Sequence, residues 1–298
     1  METAARPRAI AAAARALLSR WLPSGGGKGD VEAELSYLAS AERRPRVDRE
    51  DPSRNVMPRI PVRMPIRDRR GSSPPPSLER EGFALLRRPS RVSDFASREQ
   101  LDRIYRPEVE EIVKTLTGAR AAFTNHHLIF RSERHGPDSS GSAADPPYRA
   151  VHSDFTPVSA PLSAAEELER FGLPADVPAH FGIFNVWRSL RPPPQDTPLA
   201  LCDARSVRRE DMIASDAVAI CGTNQRSVEF VSYLHDPAHR WGYFSAMEPD
   251  EVIVFRQHDS RLPQPSGCAH SAFRHPAPGC VAAPRLSIEA RVYAFFGD

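Results

Sequence analysis

The segment Arg149-Ala150-Val151-His152-Ser153-Asp154-Phe155 is a short β-like run, and it guides the interpretation of the whole sequence. Side chains alternate between the two faces of a strand, so His152 and Asp154 are expected on the same face. An imidazole and a carboxylate placed in this way can bind one metal ion. The tripeptide is a weak signal alone, because a chain with 10 histidines and 38 acidic residues is expected to contain such a pair by chance. Its plainer interpretation is a hydrogen-bonded pair without a metal.

Similar β-like runs fill the sequence from about residue 119 onward. Turns rich in Pro, Gly, Asp and Ser separate them, which is typical of an antiparallel sandwich or barrel. We therefore predict a mainly β fold with some α, namely a double-stranded β-helix, or jelly roll. The predicted strands cover residues 121–131, 149–155, 181–190, 199–206, 228–235, 241–245, 251–257, 269–273 and 286–296, and a helix is predicted at 163–171.

The first part of the chain has a different composition. Residues 94–116 place apolar side chains close to one helical stripe, whereas residues 41–80 are rich in Arg, Asp and Pro and predict an extended arm or partial disorder. We expect the helices to support one face of the jelly roll. The predicted organisation is an N-terminal extension at 1–30, helical or disordered, and one domain at 31–298, with an arm and helices at 31–118 and the jelly-roll core at 119–298.

Composition limits the partners and the compartment. The formal charge of +2, from 40 basic and 38 acidic residues, gives no strong attraction to nucleic acid. No apolar stretch approaches the length of a membrane span. The four cysteines form no Cys-x-x-Cys pair and predict scattered reduced thiols. A cytoplasmic location is therefore expected, and the oligomeric state stays open.

The end of the sequence adds a third candidate ligand. His270 lies in a short β-like run, and Arg285-Leu286-Ser287 opens the last predicted strand. Two histidines and one carboxylate on one side of an ion leave three positions open, which is the arrangement of non-haem iron(II) oxygenases. Arg285 and Ser287 share a strand face and suit a carboxylate, because the guanidinium offers a planar pair of donors. The plainer interpretation is that Arg285 is one of many arginines.

Several further segments resemble one enzyme family. Together with the metal-site residues, the sequence is similar to the AsaB/CmcJ-like hydroxylase/desaturase family from about residue 31 to the end. The segments that carry this similarity are Tyr105-Arg106-Pro107-Glu108-Val109, His152-Ser153-Asp154, Asn185-Val186-Trp187-Arg188-Ser189-Leu190, Cys202-Asp203-Ala204-Arg205-Ser206-Val207, Asp236-Pro237-Ala238-His239-Arg240-Trp241, Asp259-Ser260 and Arg285-Leu286-Ser287-Ile288-Glu289-Ala290-Arg291.

This resemblance implies an iron(II)- and 2-oxoglutarate-dependent oxygenase that uses dioxygen to hydroxylate or desaturate a small specialised metabolite. It implies His152, Asp154 and His270 as the ligands of iron(II). The further candidates are Arg285 and Ser287 for 2-oxoglutarate, Arg188 or Arg291 as alternative arginines, and Asn185 and Trp187 as residues that line the pocket.

Two other classes of function stay open at this point. One is a metal-dependent hydrolase or isomerase with the same three ligands, and the other is a non-catalytic jelly-roll partner of a biosynthetic enzyme. The polar loop at 132–147, directly before the His152 segment, could act as a mobile lid or as a passive surface loop.

Overall fold

Two β-sheets face each other, and helices cover the outer side of the smaller sheet. The structure is a computed structural model that describes residues 29–48, 51–132, 144–221, 224–276 and 284–297. Within these ranges the strands are β1 (Val31–Leu38), β2 (Arg46–Asp48), β3 (Arg59–Asp68), β4 (Phe83–Arg87), β5 (Ala121–Ser132), β6 (His152–Ser153), β7 (Phe181–Ser189), β8 (Leu199–Cys202), β9 (Met212–Cys221), β10 (Asn224–Tyr233), β11 (Trp241–Tyr243), β12 (Glu251–Asp259), β13 (His270–Ala272) and β14 (Leu286–Phe295).

The helices are fewer and shorter than the strands. They are α1 (Arg98–Gln100), α2 (Arg106–Thr117) and α3 (Ser159–Arg170), with a π-helical turn (Leu101–Tyr105) between α1 and α2 and short 3-10 turns at Pro52–Arg54, Ala204–Ser206 and Arg209–Asp211. Pro107 directly follows the π-helical turn, in which the N–H of Arg106 donates to the carbonyl oxygen of Leu101, and Pro107 itself has no N–H to donate. Gly118 ends α2 with a φ of 75°, a left-handed conformation that favours glycine.

The order of the strands defines a jelly roll. The larger sheet has the order β1-β3-β11-β8-β13-β6-β10-β9-β2, and the smaller has the order β4-β12-β7-β14-β5. Neighbouring strands are antiparallel except for the pairs β3–β11 and β2–β9. Parallel bridges from Ser36 to Ala150 and from Leu38 to Leu234 bring β1 back beside the segments next to β6 and β10, so the larger sheet curls.

The smaller sheet is buried on both faces at its centre. All nine residues of β7 are buried, and Phe184 and Val186 belong to a cluster that includes Val109 and Ile112 of α2. The predicted support of the sheet by N-terminal helices is therefore present. Asn185 and Trp187 alternate with these residues and face the larger sheet, where the site is found.

The predicted jelly roll is confirmed, and the predicted runs after residue 119 correspond to strands, although several are shorter. The run at 149–155 forms ladder pairs only at His152–Ser153, so Asp154 lies just beyond β6. The structure differs from the prediction between residues 31 and 87, where β1–β4 form and extend both sheets instead of an arm. In β3 the apolar residues Ile60, Val62, Met64 and Ile66 alternate as in a strand, but the arginines and prolines between them made the segment resemble an extended arm.

Some predictions concern residues outside the described ranges. The N-terminal extension at 1–30 is described only at residues 29 and 30, and most of the predicted lid at 132–147 lies outside the described residues, as does Cys280. Cys202 and Cys268 are buried free thiols, as expected for reduced cysteines.

Candidate metal centre

His152, Asp154 and His270 come together in the structure. His152 of β6 and His270 of β13 are directly paired across the larger sheet, and their ring centroids lie 4.2 Å apart. Asp154 follows β6, and its Oδ1 lies 3.6 Å from Nε2 of His152. One potential ligand atom from each of the three side chains lies within 4.8 Å of the other two. Adjacent antiparallel strands thus unite ligands that are far apart in sequence.

Backbone carbonyls orient both imidazole rings. Nδ1 of His152 lies 2.8 Å from the carbonyl oxygen of Ala150, and Nδ1 of His270 lies 3.2 Å from that of Cys268. A carbonyl oxygen only accepts, so each Nδ1 donates and each Nε2 keeps its lone pair for a metal. Burial and the neighbouring His270 lower the pKa of His152 to about 3, so this ring is neutral near pH 7. Two imidazoles and a carboxylate suit a divalent ion such as iron(II).

The Asp154 carboxylate is fixed from the opposite sheet. Its Oδ2 accepts hydrogen bonds of 2.8 Å from Nδ2 of Asn185 and 2.8 Å from a terminal guanidinium nitrogen of Arg291. Its backbone N–H donates to Oε1 of Gln257 at 2.7 Å. Burial acts to raise the pKa of Asp154, but opposing charges, that of Arg291 above all, hold this pKa below its ordinary value. Asp154 is therefore ionised and ready to bind a cation.

Arg285 and Ser287 lie together, as predicted. The guanidinium of Arg285 donates from Nε to Oγ of Ser287 at 3.0 Å and lies over the Trp187 ring, 5.0 Å from its centroid. Both residues are buried, with 4% and 1% of their surface exposed. A buried guanidinium next to a hydroxyl is a suitable place for a carboxylate.

The two alternative arginines occupy different places. Arg188 donates to the carbonyl oxygens of Arg88 and Pro249 at 2.7 and 2.6 Å and lies over the Tyr105 ring, on the helix-covered side of β7. Arg188 thus faces away from the metal ligands, because it alternates with Asn185 and Trp187 along β7. Arg291 faces the ligands and contacts Asp154.

Sequence reasoning missed two polar residues of the site, Gln257 and Glu289. Glu289 lies on β14 between Ser287 and Arg291, and its Oε1 accepts from Nδ2 of Asn185 at 3.1 Å. Burial and the charge of Asp154 raise the pKa of Glu289. Alternation from Arg285 through Ser287 could have identified Glu289. Gln257 gave no comparable signal, because its role depends on the packing of β12 against the segment after β6.

Unsatisfied polar atoms around the three ligands indicate that the site binds further polar groups. Eleven buried side-chain atoms of the described residues have no hydrogen-bond partner, and four of them lie at this site: Oδ1 of Asn185, Nε1 of Trp187, Nε2 of Gln257 and Nε of Arg291. Each belongs to a residue that contacts Asp154 or Arg285. Buried polar atoms are normally paired, so such a concentration at one place favours a bound polar ligand. The three candidate ligands fit a metal ion, and the unpaired N–H donors of Trp187 and Gln257 fit a carboxylate cosubstrate.

A sequence-family profile described as "YDMC: Oxidoreductase/YMDC permease-like domain" matches residues 35–295. The chain belongs to this family, and the resemblance to hydroxylase/desaturases is confirmed by its relatives. It is 29% identical over 243 residues to the hydroxylase/desaturase efuI of Hormonema carpetanum, covering 74% of this chain and 79% of the relative. It is 31% identical over 229 residues to the alpha-ketoglutarate-dependent dioxygenase phiK of a fungal species (strain ATCC 74256), with the same coverage.

Solved structures support the same fold. The iron and alpha-ketoglutarate-dependent endoperoxidase NvfI superposes with a TM-score of 0.75 and 23% sequence identity, covering 91% of this chain and all of that chain. At this level of identity the match establishes the fold. Among the described residues, no helix has the length and apolar character to cross a bilayer.

Proposed function

We propose that this protein is an iron(II)- and 2-oxoglutarate-dependent dioxygenase that hydroxylates or desaturates a small specialised metabolite. The observation that carries the proposal is the set of His152, Asp154 and His270, with each His Nδ1 hydrogen-bonded to a carbonyl so that Nε2 is available. Relatives named as dioxygenases of this type support the proposal. Iron(II) with 2-oxoglutarate, when bound, supplies the ability to activate dioxygen for oxidation of an unactivated carbon.

The residues of the chain have separate tasks in this proposal. His152, Asp154 and His270 hold the ion from the larger sheet. Arg285 and Ser287 bind the carboxylate of 2-oxoglutarate that is distal to the metal, and the indole N–H of Trp187 adds a donor at the same place. The smaller sheet therefore orients the cosubstrate, while its buried face keeps bulk water away from the ion.

The proposal extends to the organisation of the chain. Residues 31–298 act as one oxygenase domain, with residues 1–30 as an extension outside it. Dioxygen and a small molecule are the reactants, and neither nucleic acid nor a membrane is a partner. The cytoplasmic location stays a prediction.

Anaerobic titration of the protein with iron(II) and then with 2-oxoglutarate tests the function. We expect one iron(II) per chain, binding of 2-oxoglutarate that requires the metal, and release of succinate once dioxygen and a substrate are added. His270→Ala, His152→Ala and Asp154→Ala should each abolish iron binding or turnover, because an open three-ligand face cannot lose a ligand.

His235→Ala is the matched control, because His235 is exposed and is not one of the three ligands. It should bind iron as the wild-type protein does. Full turnover by His270→Ala would contradict the metal site. Metal binding without 2-oxoglutarate binding would instead favour a hydrolase or isomerase, and failure to bind any metal would favour a non-catalytic protein.

A further inference from the structure

The two oxygens of the Asp154 carboxylate have different surroundings. Oδ1 lies toward Nε2 of His152, at 3.6 Å. Oδ2 accepts two hydrogen bonds, both of 2.8 Å, from Nδ2 of Asn185 and from the guanidinium of Arg291. A carboxylate held in this way presents one oxygen to a metal and has the other already occupied.

The groups that hold Oδ2 come from the sheet opposite the ligands. Asn185 on β7 and Arg291 on β14 are directly paired strand neighbours, so their side chains leave the smaller sheet side by side. Both are fixed by ladders of backbone hydrogen bonds, which makes them rigid supports. Asn185 is completely buried, and the Arg291 guanidinium also lies over the Phe155 ring, 4.8 Å from its centroid.

We propose that Asn185 and Arg291 are positioning residues that restrict Asp154 to binding the metal through Oδ1 alone. This inference rests on the proposed function, because it concerns the same metal site. A carboxylate that bound through both oxygens would occupy an additional position on the ion. An oxygenase of this type needs three open positions, two of which a chelating 2-oxo acid takes. The two hydrogen bonds to Oδ2 therefore preserve the space for 2-oxoglutarate.

Arg291 is distinct from Arg285 and Ser287, which are predicted to bind the distal carboxylate of 2-oxoglutarate. It lies six residues from Arg285 along β14, which is roughly 20 Å at the rise of a strand. Glu289 lies between the two arginines on the same side of β14 and faces Asn185. A carboxylate bound by Arg285 and Ser287 is thus separated from Arg291 by an acidic side chain, whereas Arg291 already contacts Asp154.

The test uses Mn(II), which is stable in air, and two 2-oxo acids. 2-Oxoglutarate carries the distal carboxylate, and 2-oxopentanoate has the same chelating end without it. Mn(II) affinity is measured first, by calorimetry on the full chain, and the affinity of each acid is measured for the Mn(II)-loaded protein. The variants are Arg291→Met, Arg291→Lys and Asn185→Ala.

In Arg291→Met, Oδ2 loses its charged donor and becomes able to bind the metal. We expect Mn(II) binding to be retained, because Oδ2 replaces the lost contact, while the affinity for both acids falls by about tenfold, an effect of the size that removal of a residue supporting a metal ligand has on metal affinity or activity. Arg291→Lys should restore most of this affinity because it returns a charged donor, and Asn185→Ala should show the same pattern with a smaller loss.

Control variants on the same faces of β14 and β7 show whether a loss of acid binding comes from the position of Asp154 or from a general disturbance of the fold. Tyr293→Phe on β14 and Ser189→Ala on β7 remove hydroxyls that bond to Ser163 and to the carbonyl of Arg191, so both variants should bind the acids normally. If Arg291→Met weakens the binding of 2-oxoglutarate but not that of 2-oxopentanoate, Arg291 binds the distal carboxylate itself, and the inference is overturned. Unchanged binding of both acids in Arg291→Met would also overturn it. The same holds if Arg291→Met lowers the Mn(II) affinity together with the affinity for the acids and Arg291→Lys does not restore the Mn(II) affinity. Failure of the wild-type protein to bind 2-oxoglutarate would instead contradict the proposed function.

Discussion

At the scale of single residues, Arg285 is the residue that we propose binds the distal carboxylate of 2-oxoglutarate. Arg285 is 4% exposed, and its guanidinium lies against Ser287 and Trp187. We predict that Arg285→Ala weakens 2-oxoglutarate binding by on the order of 2–4 kcal/mol, because a buried carboxylate would lose a charged hydrogen-bond donor. Metal loading should change far less. Calorimetric titration of the Mn(II)-loaded variant with 2-oxoglutarate measures the effect.

The same variant should bind 2-oxopentanoate as the wild-type protein does, because that acid has no distal carboxylate to lose. This specificity is the internal control of the Arg285 experiment. An Arg285→Ala protein with normal 2-oxoglutarate affinity would show that a different donor holds the carboxylate.

Arg188 illustrates how a buried arginine can serve the fold. It is 1% exposed and donates to the carbonyl oxygens of Arg88 and Pro249. We predict that Arg188→Ala lowers the free energy of unfolding by about 2–4 kcal/mol, because it leaves an internal cavity and removes the hydrogen bonds to two backbone carbonyl oxygens. Urea denaturation measures the loss. The metal-loaded variant should still bind 2-oxoglutarate below the denaturation midpoint, and a selective loss of that binding would place Arg188 in the site.

At the scale of elements, the sequence identified strands best where no proline interrupted the pattern of apolar residues. β7, β12 and β14 were predicted nearly in full, because β-branched and aromatic residues are concentrated in all three strands. β3 was missed, since Pro61 and Pro65 suggest a break. The structure explains their presence: β11 pairs only with residues 66–68 of β3, so β11 does not cover the edge beside the two prolines.

The metal centre was more predictable than its supports. The spacing of His152 and Asp154 and the position of His270 before the last strand indicated the candidate ligands, from local pattern and family resemblance, and the structure brings these three side chains together. Gln257 and Glu289 were not predicted, and the contact of Asn185 with Asp154 was not foreseen. These contacts depend on how the two sheets pack face to face, which one-dimensional spacing does not encode.

Close packing between β12 and the segment leading into β13 gives an element-level prediction. A Cβ added at Gly267 would lie 2.6 Å from the carbonyl oxygen of Gln257, so backbone must move. We predict that Gly267→Ala lowers the free energy of unfolding by about 1–3 kcal/mol. It should also weaken Mn(II) binding, because Gln257 anchors the backbone N–H of Asp154 and His270 lies three residues after Gly267.

Gly297→Ala is the matched control, because its added Cβ would meet only the movable end of the Arg120 side chain. Thermal denaturation and Mn(II) titration of both variants provide the comparison. Equal stability and equal metal affinity in the two variants would show that the Gly267 segment can shift without consequence for the site.

At the scale of the whole molecule, the site joins the two sheets. The larger sheet and the residue after β6 supply the candidate ligands, and the smaller sheet supplies Asn185, Arg291 and Gln257 as supports of Asp154. The fold therefore places the candidate ligands at the interface between the sheets rather than at an outer surface. Changes that loosen the packing of the sheets are expected to weaken metal binding even when every ligand is retained.

The buried histidines outside the site give the molecule a defined response to acid. Burial lowers the pKa of His258 from 6.5 to about 4, and burial likewise lowers the pKa of His239 despite its contact with Asp211. Between pH 6.5 and about 4 the unfolded chain binds protons that the folded protein does not, so stability falls as the pH is lowered through this window. His258 alone should account for about 3 kcal/mol of this loss by pH 4.

We predict that His258→Gln reduces the difference in unfolding free energy between pH 7 and pH 4. Carboxylates that lose their charge in acid affect both proteins alike, so the comparison of variant and wild type isolates the imidazole. Urea denaturation at several pH values, with metal removed from both proteins, measures the two slopes. If His258→Gln keeps the wild-type slope, the imidazole of His258 is protonated in the folded protein, and its burial does not exclude the charge.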